Sequence, residues 1–470
     1  MLPTDTIKEN FRDRVPTVTA KGKRNWIYAA RPSGKFYRYR SVLSILYIIL
    51  FFSVPFIRIH GNPALQLNIP EGKFSILGML FWPQDFFIFG TAMVTFIVFI
   101  VLFTQVYGRL FCGWACPQTI FMEMLFRKIE WWIEGSRNQQ LLRRRQGASL
   151  EKTARKAAKH LAFLALAFLI ANTFLSYIIG AEALQRIISE PVSSHTGGFA
   201  ALLVFTLVFY FVYAYMRELV CTVVCPYGRL QGVLLDKNTI VVAYDYNRGE
   251  PRQKGKRPDE RYGDCVDCNQ CVTVCPTGID IRNGTQLECI NCTACIDACS
   301  TVMKKTAQPK GLIRYASENG IANKAPFRFT VRIKVYSGIL LLLTGLLGFM
   351  LASRENVGVA ISRVGGQLYQ EAGPDSLSNL YTITLNNKTR EALQLEMRVA
   401  NIPGTVFLPG NQPLIAPVGK QVKSTFFVRL PFTAIHGRET HLQLDIYHQD
   451  KKMQTVNISF LGYVQQKQKL

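Results

Sequence analysis

Residues Cys265 to Cys299 read C-V-D-C-N-Q-C-V-T-V-C-P-T-G-I-D-I-R-N-G-T-Q-L-E-C-I-N-C-T-A-C-I-D-A-C. Each half is C-x2-C-x2-C-x3-C, the run that ligates cubane clusters in two-cluster iron–sulfur proteins. The short x2 links let the backbone curl round one cluster with three thiolates, and in this pattern the fourth comes from the opposite half. Cys265, Cys268, Cys271 and Cys299 are therefore expected to hold one [4Fe-4S] cluster. Cys289, Cys292, Cys295 and Cys275 are expected to hold the other. Two structural zinc sites are the competing reading, but zinc needs only paired C-x2-C knuckles and leaves the third Cys of each run superfluous. Pro276 follows the first half in the usual way. Ser300 stands where a second proline is common, which alters the turn leaving the cluster and not its ligands.

Outward from this stretch, the chain of 470 residues combines 49% hydrophobic residues with a net charge of +24. Such an excess first suggests nucleic acid or anionic lipid. The distribution decides: Lys and Arg crowd 1–40, 108–160 and 217–334 and nearly vanish from 60–84 and 181–197. That alternation is the positive-inside pattern of an inner-membrane protein. No nucleic-acid recognition motif accompanies the charge, so no nucleic-acid partner is expected. Apolar runs at 41–59, 86–107, 161–180, 199–216 and 335–352 are each long enough to span a bilayer. Five spans put the amino terminus and the cluster insert in the cytoplasm and the carboxyl terminus outside. Arg38 and Arg40 are expected to stop the tail at the membrane, and Trp131 and Trp132 to anchor at the interface. About forty polar and basic residues precede the first apolar run, too many for the n-region of a cleaved signal peptide.

All twelve cysteines fall in C-x2-C or C-x3-C spacings, a metal or redox usage and not a secreted disulfide framework. The four outside the insert form an internal repeat, Cys112-x3-Cys116-Pro117 and Cys221-x3-Cys225-Pro226, each closing a span on its inner side. Proline suits the first position of a new helix, which puts Cys116 and Cys225 at helix N-termini where thiolate is favoured. Cysteine can also serve as a small apolar residue at a helix end, but a repeat at equivalent topological points reads as function. Four thiols there could take Cu(I), zinc or an iron–sulfur cluster, or cycle as dithiol and disulfide. Haem, nicotinamide and ATP motifs are absent: there is no C-x-x-C-H, no G-x-G-x-x-G and no P-loop.

Residues 355–470 change character. Short alternating runs at Leu380–Leu385, Leu393–Val399, Val422–Val428, Leu442–Tyr447 and Thr455–Phe460, separated by turn residues, predict an antiparallel immunoglobulin-like sandwich. His436, His441 and His448 are its only histidines and are read as surface or packed residues. The expected class is a five-span membrane α-helical protein with a two-cluster ferredoxin-like α+β insert and a C-terminal all-β immunoglobulin-like sandwich. Its parts are a basic tail (1–40), a four-span domain with both C-x3-C-P motifs (41–247), the cluster domain (248–330), the fifth span (331–352) and the sandwich (353–470).

F-C-G-W-A-C-P, C-T-V-V-C-P-Y-G, the two-cluster insert and the terminal sandwich, in that order, resemble the CcoG/FixG (RdxA-type) accessory proteins of cytochrome oxidase over essentially the whole chain. The C-x3-C-P pair alone is shared with NapH-like membrane ferredoxins. The resemblance implies reduction of Cu(II) to Cu(I) for the copper centre of the cbb-type oxidase in a proteobacterial inner membrane. It gives the copper-handling part to Cys112, Cys116, Cys221 and Cys225. It also implies an electron donor, oxidase assembly factors or a copper chaperone, and membrane lipid as partners. An electron-relay subunit and a copper-binding scaffold with structural clusters are the other two readings.

Overall fold

A computed structural model describes residues 17–462, except 19–22, 60, 70–71, 83–84, 148, 256–260, 355–356, 367, 390, 412 and 419–420. Residues 1–16 and 19–22, half of the expected basic tail, lie outside the described residues, as does part of the basic linker before Cys265. Two compact units emerge: residues 1–55 with 90–347, and residues 56–89 with 348–470.

Five helices are long and apolar enough to cross a membrane. They run Lys35–Phe56, Phe86–Tyr107, Leu150–Ile179, Thr196–Met216 and Val331–Ala352. The second matches its expected span to the residue. The first and third begin earlier than their apolar runs, at Lys35 and Leu150, because polar residues with good helix propensity extend the helix beyond the hydrocarbon. The first, third and fourth spans pack together through Phe51, Phe163, Ala167, Ile170 and Tyr213. Ala167, fully buried, lets backbones approach closely, as small residues do between membrane helices. The second and fifth spans bury almost nothing and are apolar all round, a pattern suited to lipid contact.

Pro117 starts a helical stretch running to Glu134, with a π-helical turn at Met122–Phe126 in its middle. It lies under the bundle. Phe126 stacks on Tyr213 (4.5 Å between centroids) and meets Phe163 edge-on (5.0 Å). The cluster region is closed by a two-stranded antiparallel pair, Val241–Tyr244 with Ile313–Ala316, and by helix Ala294–Lys305. Neither strand was expected. Each is only four residues long, too short to show an alternation.

In the second unit, one sheet orders Thr405–Phe407, Gln421–Pro431, Ser376–Asn387 and Val357–Arg363, with Gln370–Glu371 also on Ser376–Asn387. The other orders Leu414–Ala416, Leu393–Val399, Glu439–His448 and Lys451–Leu461. All five expected strands are present. The shorter ones and Val357–Arg363 went unread, because two or three residues carry no period and Val357–Arg363 is masked by its nearness to the fifth span. Inward residues of both sheets, among them Tyr381, Phe426, Leu444 and Phe460, make one core. The Tyr381 hydroxyl crosses it to donate to the Ser459 carbonyl (2.8 Å). Short hairpins form in the segment between the first two spans, and the first of their strands, Arg58–Ile59, falls within the apolar run 41–59 expected as the first span. Asp85 ties that segment to Arg354 (2.8 Å) and Lys388 (2.6 Å) of the same unit.

Phe426 is fully buried and stacks on Tyr381. Phe426→Ala is expected to destabilise the sandwich by about 3–5 kcal/mol. Limited proteolysis should then cut within 357–462 faster than in wild type, while iron content stays unchanged.

Candidate functional site

The eight insert cysteines sit on two loops of matching backbone. Asp267 and Asn269 flank Cys268 with φ of 47° and 55°; Asn291 and Thr293 flank Cys292 with φ of 52° and 65°. Left-handed residues on both sides of a Cys turn successive N–H groups toward one point, the concave nest that suits an anionic iron–sulfur centre. Asp and Asn tolerate this region better than other non-glycine residues, and three of the four positions use them. Cys265, Cys268, Cys271 and Cys299 line one cavity. Cys275, Cys289, Cys292 and Cys295 line a second, with Cys271 between the two. Each set draws its fourth thiol from the other half of the sequence.

The donor set fits cubane clusters better than zinc. Among the described residues no three His, Cys, Asp or Glu side chains close on one point, as a mononuclear ion requires. Thiolates round a four-iron body stand farther apart. None of the twelve cysteines is in a disulfide. Burial pushes the Cys271, Cys289 and Cys299 thiols up to about 12 and Cys292 to about 11, and raises Cys275 and Cys295 as well. Such groups ionise only when a cation takes the place of the proton, which is how metal uptake couples to folding. Arg282, largely buried, braces the first loop through Asp280 (2.6 Å) and Asp267 (2.5 Å).

The C-x3-C-P segments lie against this domain. Cys116 and Cys225 are the N-caps of helices whose first residues are Pro117 and Pro226, as the sequence implied. Cys221 falls in a π-helical segment, Val220–Val224, and a second one, Val212–Met216, stands just before it. Such turns are frequent at functional sites. Cys112 is within electrostatic reach of Cys116, Cys221 and Cys225, and Cys221 of Cys116. Burial, then the Cys116 and Cys112 charges, push Cys221 up to about 12. Burial raises Cys112 too, with Arg109 opposing. The Cys112 thiol donates to Gln231 Oε1 (3.2 Å), which also accepts from Arg109 Nε (3.1 Å).

Three contacts fasten the segments to the cluster domain. Gly113 packs on the loop carrying Cys292 so tightly that a Cβ there would lie 2.3 Å from the Ile290 carbonyl oxygen. Trp114 Nε1 donates to the Asn291 carbonyl (3.2 Å). Arg109, buried, donates to the carbonyls of both Cys221 and Leu287. Between Cys221 and the residues Thr277 and Ile290 lies a cavity of about 20 Å³, also lined by Gln118 and Thr119. Gln118 Nε2 and Thr119 Oγ1 find no hydrogen-bond partner there. The space admits one water-sized guest.

Several supporting residues escaped the sequence reading. Asp297, between Cys295 and Cys299, accepts from the Phe36 (3.2 Å) and Tyr37 (2.8 Å) N–H groups and so caps the first span. Gly34 makes room: a Cβ there would stand 2.3 Å from Asp297 Cγ. Arg40, expected at the interface, is buried and donates to the Gly113 carbonyl (2.7 Å). Trp131, expected as an anchor, donates to the Ala29 carbonyl (3.3 Å). Trp132 is the exposed member of the pair. The described part of the N-terminal segment is thus docked and not a free tail; the Ala30 N–H bonds the Thr273 carbonyl (2.9 Å). Isolated polar residues in such segments carry no period, so only their contacts reveal them.

A buried ion network adjoins the second thiol segment. Arg217, at φ 50°, forks onto Glu130 (3.1 and 2.7 Å). Arg127 pairs with Glu123 (3.2 Å) and Glu218, and Lys159 with Glu134 (2.8 Å). Burial alone would raise the Glu130 carboxyl, but Arg217 overrides it and holds it at about 2, against its ordinary 4.5.

Three family models match parts of the chain. A family model described as a 4Fe-4S dicluster domain matches residues 216–318. One described as a 4Fe-4S binding domain matches 89–148, and the IG-like fold at the C-terminal of FixG matches 347–463. Protein RdxA of Cereibacter sphaeroides is 31% identical over 428 residues, covering 88% of this chain and 90% of that protein. Protein RdxB of the same organism is 31% identical over 408 residues, with 82% and 84% covered. Nitrogen fixation protein FixG of Rhizobium meliloti is 34% identical over 308 residues, with 63% and 58% covered. A crystal structure of a FixG-related protein from Vibrio parahaemolyticus covers 23% of this chain and 97% of its own, at 18% identity and a TM-score of 0.20.

Removing one partner of the buried fork should cost far more than removing both. Arg217→Gln is expected to destabilise by about 3–5 kcal/mol, and the Arg217→Gln/Glu130→Gln double variant by less, read as thermal midpoints of detergent-solubilised protein. The sign with pH follows from a depressed carboxyl: its stabilisation is present above 4.5 and is lost as pH falls toward about 2. Glu130→Gln should flatten that part of the acid limb.

Proposed function

Because the chain belongs to the FixG/RdxA family of membrane iron–sulfur proteins, we propose that it is an oxidoreductase that reduces Cu(II) to Cu(I) in a bacterial inner membrane. In this reading the copper serves assembly of the cbb-type cytochrome c oxidase. The observation that carries it is the seating of the first C-x3-C-P segment on the loop of Cys292 through Gly113 and Trp114, with Arg109 bridging the Leu287 carbonyl of the cluster domain to the Cys221 carbonyl of the second segment. Cys265, Cys268, Cys271 and Cys299 would hold one [4Fe-4S] cluster, and Cys289, Cys292, Cys295 and Cys275 the other. When bound, these clusters supply one-electron reducing power to the site.

The chain's own residues do the rest. Cys112, Cys116, Cys221 and Cys225 offer soft donors, and soft thiolates favour Cu(I) over Cu(II). Binding the product form more tightly than the substrate form draws the one-electron step forward. Copper is the substrate: Cu(II) takes one electron and becomes Cu(I), with the electron resupplied by an external donor. Cys268, the exposed ligand of the eight, marks the face that such a donor can approach. Arg109 and Gln231 hold Cys112 in place. The K/R alternation puts the cluster domain and the thiols in the cytoplasm and the sandwich in the periplasm. Oxidase assembly factors or a copper chaperone would receive the product.

A second reading has one observation in its favour. The family model described as a 4Fe-4S binding domain matches 89–148, which contains Cys112 and Cys116. There the four thiols would hold a further cluster, and the protein would relay electrons to a membrane partner.

Anaerobically purified protein should contain about eight irons, four per cubane; about twelve would favour the second reading. Cys225→Ser is expected to keep the iron and lose Cu(II) reduction, with dithionite as donor, whereas Cys268→Ser should lose both. Wild-type reduction rates in the quadruple Cys112, Cys116, Cys221 and Cys225 to Ser variant would remove the thiols from the copper site. Reporter fusions after residues 320 and 461 should report opposite sides of the membrane, and the same side for both would overturn the topology.

A further inference from the structure

A cavity of about 420 Å³ opens beside the buried ion network, lined by none of the twelve cysteines. Its walls come from the N-terminal segment (Trp26, Tyr28), helix Arg137–Arg145, the start of the third span and the end of the fourth. Lys152, Arg155, Lys156 and Lys159 line it from one face of the third-span helix, at the i, i+3, i+4 and i+7 spacing. Arg143 and Arg144 face them, and Arg217 closes the bottom of the set.

Only two carboxylates line the same space, Glu130 and Glu134, and both are already engaged by Arg217 (2.7 Å) and Lys159 (2.8 Å). Arg155 pairs with Glu151 (2.9 Å). Among the described residues no carboxylate pairs with Arg143, Arg144, Lys152 or Lys156. The partners of three of them are neutral: Arg143 donates to the Glu134 carbonyl, Lys152 to the Gln146 carbonyl (2.7 Å), and Arg144 lies over the Tyr28 ring. Four cations without a carboxylate round one concave space repel one another, and low-dielectric walls concentrate their field. An anion with several acceptor oxygens relieves that repulsion, and Arg guanidinium forks match the geometry of a phosphate.

The other walls say what carries the phosphate. His160, stacked on Tyr215 (6.1 Å), together with Phe163 and Ala214, forms the apolar side. His160 stands where the polar start of the third-span helix gives way to its apolar run. Leu161 and Leu164, next along that helix, are exposed. Trp26 and Tyr28 are of the type that sits at headgroup level. Basic pockets between membrane helices on the cytoplasmic side are the usual seat of anionic lipid headgroups. We propose that this cavity binds the headgroup of an anionic phospholipid, its phosphate among Arg143, Arg144, Lys152 and Lys156 and its acyl chains along Leu161 and Leu164. The bound lipid would brace Arg217, four residues before Cys221, without contacting any thiol.

The test uses full-length protein in detergent, stripped of lipid by washing. Phosphatidylglycerol, phosphatidylcholine or inorganic phosphate is then added, thermal midpoints are measured, and retained lipid is read by native mass spectrometry. Phosphatidylglycerol should raise the midpoint and be retained by wild type, and high salt should weaken both effects. Lys152→Gln/Lys156→Gln should lose the shift and the lipid at unchanged iron content. Lys423→Gln/Arg429→Gln, which removes the same charge from the sandwich, should behave as wild type. Should the first variant fail to fold, Arg144→Gln, at a partly exposed helical site, takes its place. Equal effects of phosphatidylcholine would overturn the anionic headgroup. An equal shift from inorganic phosphate alone would overturn the lipid, and a Gln variant that keeps the lipid would overturn the site.

Discussion

The structure depends on one close approach, Gly113 against the backbone of Ile290, Asn291 and Cys292. No side chain larger than hydrogen fits there. Around it the polar groups of both partners are used up by one another. Asn291 is the centre: its Oδ1 accepts from the Val242 N–H (3.1 Å), and its carbonyl accepts from Trp114 (3.2 Å) and Tyr315 (3.4 Å). Arg40 holds the Gly113 carbonyl from the first span. The loop that carries Cys292 is thereby locked to the ends of two membrane helices. A water-filled gap at this place would leave several buried backbone groups without partners, at about 1–3 kcal/mol each.

The chain meets the cost of burying charge near the bilayer by clustering it. Arg127, Arg217, Glu123, Glu130 and Glu218 are all nearly inaccessible to solvent, and each has at least one oppositely charged neighbour. A network of this kind is weak evidence for stability, since hydrophobic replacements often do as well. Its value here is positional. It fixes the π-helical segment that carries Cys221 and the stretch from Pro117 to Glu134 in one arrangement, so the two thiol pairs cannot drift apart. The same charges make the adjoining cavity electropositive, because the carboxylates are spent on the inner members of the network and the outer cations are left over.

The sandwich obeys a different physics. Its core is two interleaved apolar faces, and its polar edges need no membrane. The spans invert that logic: the second and fifth expose apolar surface everywhere, and only the first, third and fourth have buried faces to pack. One composition statement, 49% hydrophobic, covers both, and only the period along each segment separates them.

The amino-acid sequence by itself determined the elements whose signal is local. Cysteine spacing named the iron–sulfur insert, because ligation geometry is written in short x2 links. Uninterrupted apolar runs named five spans, because a bilayer demands length. Strict alternation named the longer strands of the sandwich, because a half-buried strand repeats every second residue. Proline after Cys116 and Cys225 named two helix starts, because Pro fits only where its missing N–H is not needed. Tertiary structure alone decided what those elements touch. The roles of Asp297 as cap of the first span, of Arg40 and Arg109 as struts, and of Asn291 at the junction rest on partners 24 to 261 positions away, for which no local period exists. The basic residues at 143–159 read in the sequence only as part of the Lys/Arg-rich segment 108–160; folding turned part of them onto a concave wall. Charge density is legible in a sequence, but whether charges face water or one another depends on how helices pack.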